Sequence, residues 1–202
     1  MSIEETIKSQ IEGSIVNDRY LESIAITLFN EAKVTADGYI FKKLVPAMTF
    51  YCFALESKLN TYGKEVFGEH KSLYKKFTSA TLLGKFDWLL SKMDVEEHEI
   101  LTTHRDTISN MVTFRNAVAH SKNIDFTEER ELIGLENFGD KYLIAPTHEK
   151  DFMALRSIEN CELFKLSYEF LERVWLVQSP KYFGSVDIMR GMGISSSIVV
   201  GR

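Results

Sequence analysis

Three prolines and eleven glycines in 202 residues leave few positions where a helix is forced to stop. Two cysteines, Cys52 and Cys161, are too few for a disulfide scaffold. Each sits in an apolar-periodic stretch, which predicts two buried free thiols. No apolar run reaches bilayer length. The longest, Leu44 to Leu55, has twelve residues and contains Pro46 and Thr49, against the roughly 20 that a membrane span needs. The opening Met-Ser-Ile-Glu-Glu-Thr-Ile-Lys lacks the basic start and apolar core of a signal peptide. These absences predict a soluble, cytoplasmic protein with no membrane partner.

A strong charge of one sign is also missing. The formal net charge of −5 argues mildly against a nucleic-acid partner. The distribution is uneven, however. Residues 40–122 hold twelve Lys or Arg against nine Asp or Glu, and the remainder holds twelve against twenty. Lys71, Lys75, Lys76 and Lys85, with Lys122, form a candidate basic edge for an RNA backbone. The plainer reading is a solvated helix face. His70, His98, His104 and His148 have no spacing that builds a metal site with the distant cysteines, so no cofactor is expected and each histidine reads as a surface residue. There is no nucleophile elbow and no Walker loop.

Long helical periodicity is what the chain does have. A first helix is predicted over Asn17–Ala32 and a second over Tyr39–Tyr62, ended by Gly63. Pro46 should lie near the start of the second helix or kink it. A third stretch covers Ser72–Met93, interrupted near Gly84, and Asp94 is placed to cap a fourth helix. Around Asn137-Phe-Gly-Asp140 the pattern changes to a small β-hairpin at about 130–145. A long helix follows from about residue 148 to residue 178, stopped by Pro180, and residues 179–202 read as an irregular tail. The expectation is one all-α domain over residues 1–202, a bundle of four or five helices with a hairpin insertion.

The fourth helix ends in Phe114-Arg-Asn-Ala-Val-Ala-His120. Ile108, Met111, Val112, Val118 and Ala119 define an apolar stripe, and Arg115 falls four residues after Met111 and four before Ala119. A guanidinium buried there needs a carboxylate, which predicts a buried, paired Arg115. Glu56, between Leu55 and Leu59 on the second helix, is the most attractive partner. Asn60 shares its face, as a cap of the helix end or as a member of the same polar network. His120 lies about 140° around the helix from Arg115. Asn116 and His120 therefore project from the flank while Arg115 points along the packing stripe.

The Arg115-Asn116-x-x-x-His120 run resembles the signature of HEPN domains, a helical family of higher-eukaryote and prokaryote nucleotide-binding proteins. Ala54-Leu-Glu-Ser-Lys-Leu-Asn60 is similar to the Glu-containing helix upstream of that signature. The resemblance covers about residues 16–122. It implies a HEPN-like bundle and a metal-independent endoribonuclease in which Arg115, Asn116 and His120 are catalytic and Glu56 and Asn60 support them. It also implies a homodimer acting on RNA, with products carrying a 2′,3′-cyclic phosphate. Such an enzyme fits a toxin held by an antitoxin, or a phage-defence effector. Family members also include catalytically silent modules that bind nucleotides or proteins, and the acidic net charge suits that alternative.

Overall fold

The computed structural model describes residues 17–36, 39–95, 99–120 and 155–183, and six helices lie among them. These are α1 (Asp18–Lys33), α2 (Phe41–Phe67), α3 (Lys71–Thr78), α4 (Leu82–Lys92), α5 (Glu99–Ala119) and α6 (Ile158–Phe183). The described chain is all-helical. The expected hairpin at 130–145, the tail from residue 184 and Lys122 lie outside the described residues.

α1 and α2 run antiparallel. Near one end Lys58 Nζ lies 3.5 Å from Asp18 Oδ2, and near the other Lys43 pairs with Glu31. α6 completes a three-helix layer, with Tyr62 stacked on Trp175 at 4.1 Å between ring centres. α5 packs antiparallel to α6, since Phe114 meets Phe164 while His104 meets Phe170. Ala25, Phe29, Tyr51, Leu55, Phe86, Ile108, Phe114 and Tyr168 are buried at the centre of this arrangement. The two cysteines belong to the same core and are free and buried. Burial pushes the Cys161 thiol up to about 12, and Cys52 Sγ sits 3.5 Å from the Met111 carbonyl oxygen. No described helix is long and apolar enough to cross a membrane.

Several helix boundaries differ from the sequence expectation, each for a local reason. α2 does not stop at Gly63 but continues to Phe67, with Gly68 as its cap. Gly63 is there for close packing, because a Cβ at this position would lie 2.0 Å from Phe77 Cε1 of α3. Phe77 cannot easily retreat, being buried between Phe67 and Trp88. Gly63→Ala should therefore destabilise the fold. Overpacking costs about 1–3 kcal/mol and outweighs the roughly 1 kcal/mol of helix propensity that alanine gains. Thermal melting checks this, and Phe77→Leu in the same chain should recover part of the loss.

Pro46 lies inside α2, within its second turn, so the helix forgoes one backbone bond there and continues. The third predicted helix is two, α3 and α4. The break falls at residues 79–81, where the Thr81 hydroxyl accepts from the Gly84 backbone N–H at 3.1 Å and caps α4. Residues 96–98, which Asp94 is expected to cap, lie outside the described residues. Asp94 adopts a left-handed φ of 48° just after α4, a conformation that Asn and Asp tolerate better than most residues other than glycine. The last described helix begins at Ile158, and residues 148–154 of the expected helix lie outside the described residues. The Ser157 hydroxyl accepts there from the Asn160 N–H at 3.0 Å, a standard N-cap. Pro180 does not end it, since the helix runs through to Phe183.

Candidate active site around Arg115

The buried side of α5 is formed by Ile108, Met111 and Phe114. Phe114 holds the inward position, and Arg115 stands about 100° further round, at the margin of that face. Its side chain is 25% exposed, which corrects the expectation of full burial. Arg115 sits at the edge of the apolar stripe because Phe114, not Arg115, continues it.

Glu56 occupies a matching place on α2, just past the buried Leu55, with its side chain 32% exposed. Arg115 Nη1 donates to Glu56 Oε2 at 2.6 Å, a short charge-assisted bond. The other carboxylate oxygen, Oε1, accepts from Lys85 Nζ at 3.3 Å. Lys85 is only 4% exposed. It thus belongs under the ion pair and not on the basic RNA-binding edge where the sequence had placed it. Periodicity held the signal: Lys85 falls with Leu82, Phe86 and Leu89 on the buried face of α4. Lys71, Lys75 and Lys76 are exposed on α3.

Asn116 is exposed, and its Oδ1 lies 3.4 Å from Arg115 Nη2, at the long limit of a hydrogen bond. Its contact is with the guanidinium, so it helps orient Arg115. His120 is exposed immediately after the last residue of α5, and its backbone N–H closes the final turn on Asn116 O at 2.9 Å. Arg115, Glu56 and Asn116 are therefore brought together, with His120 at the open end of the same helix. Asn60 is not drawn in. α2 continues past it, so it caps nothing, and its buried Oδ1 has no hydrogen-bond partner among the described residues. No group of three His, Cys, Asp or Glu side chains among the described residues is placed to hold a metal ion.

A second polar cluster was not foreseen. Lys58 is 1% exposed and reaches Glu172 Oε1 at 3.1 Å and Asp18 Oδ2 at 3.5 Å, with its ammonium over the Tyr168 ring. Tyr168 Oη donates to Glu22 Oε2 at 3.1 Å. Burial, reinforced by Glu22 and Asp18, pushes that hydroxyl's pKa up, so it remains a donor. Arg19 closes the cluster through Glu172 and Glu22. These contacts join α1, α2 and α6. The sign in the sequence was Lys58 itself, set between Leu55 and Leu59 on a largely buried helix.

His104 is half-buried and not a surface residue. Its ring stacks on Phe170 at 4.1 Å, and Nδ1 lies 2.9 Å from Ser167 Oγ. Burial, and then the Arg173 charge, lower its pKa below the ordinary 6.5. The unfolded chain therefore binds this proton first as pH falls. The contribution of the neutral ring to stability is complete above the unfolded pKa and is lost progressively below it. Melting temperatures at about pH 7.5 and about pH 5.5 should thus differ more in wild type than in His104→Gln, whose side chain does not titrate.

No family model, curated protein or solved structure matches the chain.

Proposed function

We propose that the chain is a metal-independent endoribonuclease of the HEPN type, with Arg115 and His120 as its catalytic residues. The observation that carries this reading is the Glu56–Arg115 pair. It fixes a partly exposed guanidinium at the end of the helix that carries the exposed His120. RNA brings its own nucleophile, so no serine or cysteine is needed. His120 removes the proton from a ribose 2′-hydroxyl, and O2′ attacks the adjacent phosphorus. Arg115 stabilises the added negative charge on the phosphorane. The P–O5′ bond then breaks, and the leaving oxygen takes a proton from a second imidazole. The products are a 2′,3′-cyclic phosphate and a 5′-hydroxyl.

One chain carries one such histidine. The second comes from another copy related by a two-fold axis, so that the two His120 side chains act as base and acid in turn. Asn116 steadies the guanidinium, and the exposed lysines of α3 contribute to holding the RNA backbone. An enzyme of this kind suits a toxin or antiviral effector restrained by a regulatory protein until it is needed.

Incubating the purified protein with total RNA in EDTA tests the proposal. Wild type should cleave, and sedimentation at micromolar concentration should show a dimer. Binding of a nucleotide or protein without any cleavage would mark a silent module instead. A strictly monomeric protein that cuts RNA would remove the two-fold site.

A further inference from the structure

The ion pair at the candidate site has a third member that the nuclease reading does not use. Glu56 is bridged, with Oε2 on Arg115 at 2.6 Å and Oε1 on Lys85 at 3.3 Å. The two cations are not equivalent. Lys85 is buried and cannot meet a ligand in solution, whereas Arg115 and Glu56 both reach the surface. Retaining an ammonium out of water is costly unless its partner holds it there. The nearest charge further along α4, Asp87, is answered by Arg105 at 3.0 Å and adds no net charge.

Charge counting shows what Lys85 changes. An Arg115–Glu56 pair alone is neutral, and an arriving anion would meet the carboxylate as well as the guanidinium. With Lys85 the three groups carry a net charge of one positive unit, matched to the single negative charge of a phosphodiester. Lys85 also anchors the carboxylate from beneath. Glu56 therefore keeps one partner when Arg115 turns part of its planar donor set toward phosphate.

We infer that Lys85 is a positioning residue that converts the Glu56–Arg115 pair into a binding site for a phosphodiester monoanion. This rests on the reading of Arg115 as the phosphate-contacting group.

The test uses the full chain and a short single-stranded 2′-O-methyl RNA, which lacks the attacking hydroxyl and cannot be cleaved by that route. Binding is followed by fluorescence anisotropy at low salt for wild type, Lys85→Met, Glu56→Gln and the double variant. Melting curves confirm that each is folded. The net charge of the three positions is one positive unit in wild type, zero in Lys85→Met and two in Glu56→Gln. It returns to one in the double variant. Lys85→Met should weaken binding by roughly tenfold, the scale of one charge near a phosphate. Glu56→Gln should bind more tightly than wild type, and the double variant should return close to wild type. A purely structural role for Lys85 does not produce that rescue.

Equal binding by folded Lys85→Met and wild type would overturn the inference. A double variant as weak as Lys85→Met would overturn it too, as would a wild type that does not bind this RNA. If the binding order holds while natural RNA stays uncut, the nuclease reading fails and the phosphodiester site stands.

Discussion

Replacing His120 by alanine is expected to lower RNA cleavage by about 10²–10⁴-fold, the usual contribution of a general acid or base. The same change should leave the melting temperature close to that of wild type. His120 is exposed beyond the end of α5, and its backbone bond to Asn116 O survives the substitution. Two such imidazoles serve each cut in the proposed dimer, so a mixed dimer of one wild-type and one His120→Ala chain should also lose cleavage. Asn116→Ala should have a smaller effect, through looser placement of the Arg115 guanidinium. A His120→Ala protein that cleaves like wild type would detach the chemistry from this motif, whatever the fold.

The largest loss of stability is expected far from that site, at Lys58. Lys58→Met removes the buried ammonium between Asp18 and Glu172. Glu172 keeps Arg19, but Asp18 is left as a buried carboxylate whose Oδ1 already has no hydrogen-bond partner among the described residues. Breaking a buried pair from one side costs about 3–5 kcal/mol. In a domain of this size that lowers the melting temperature by roughly 10 °C. Adding Asp18→Asn should restore part of it, because the stranded charge is removed with its partner. A melting temperature unchanged in Lys58→Met would mean that the cluster is solvated and contributes little.

The helical class and the Arg115–Glu56 contact were legible in the sequence because both follow from apolar periodicity. A charged residue beside an apolar stripe on each of two helices invites the pairing. Periodicity is less able to distinguish the centre of a stripe from its edge. Arg115 was therefore read as buried, although Phe114 takes the inward position. The same ambiguity placed Lys85 on the surface. Boundaries failed where one residue type serves two purposes. Gly63 reads as a helix stop until the Phe77 ring is seen to fill the space of its missing side chain. The Lys58 cluster depends on three helices distant in sequence meeting at one point. A local pattern does not supply that information.

The most direct measurement concerns the ends that the protein leaves on RNA. A defined single-stranded RNA oligonucleotide is incubated with wild-type protein in excess EDTA, and the fragments are weighed by mass spectrometry. The expected result is paired fragments, one ending in a 2′,3′-cyclic phosphate and the other beginning with a 5′-hydroxyl, both absent with His120→Ala. Intact RNA, or fragments bearing 5′-phosphate and 3′-hydroxyl ends, would contradict cleavage through the 2′-hydroxyl at Arg115 and His120.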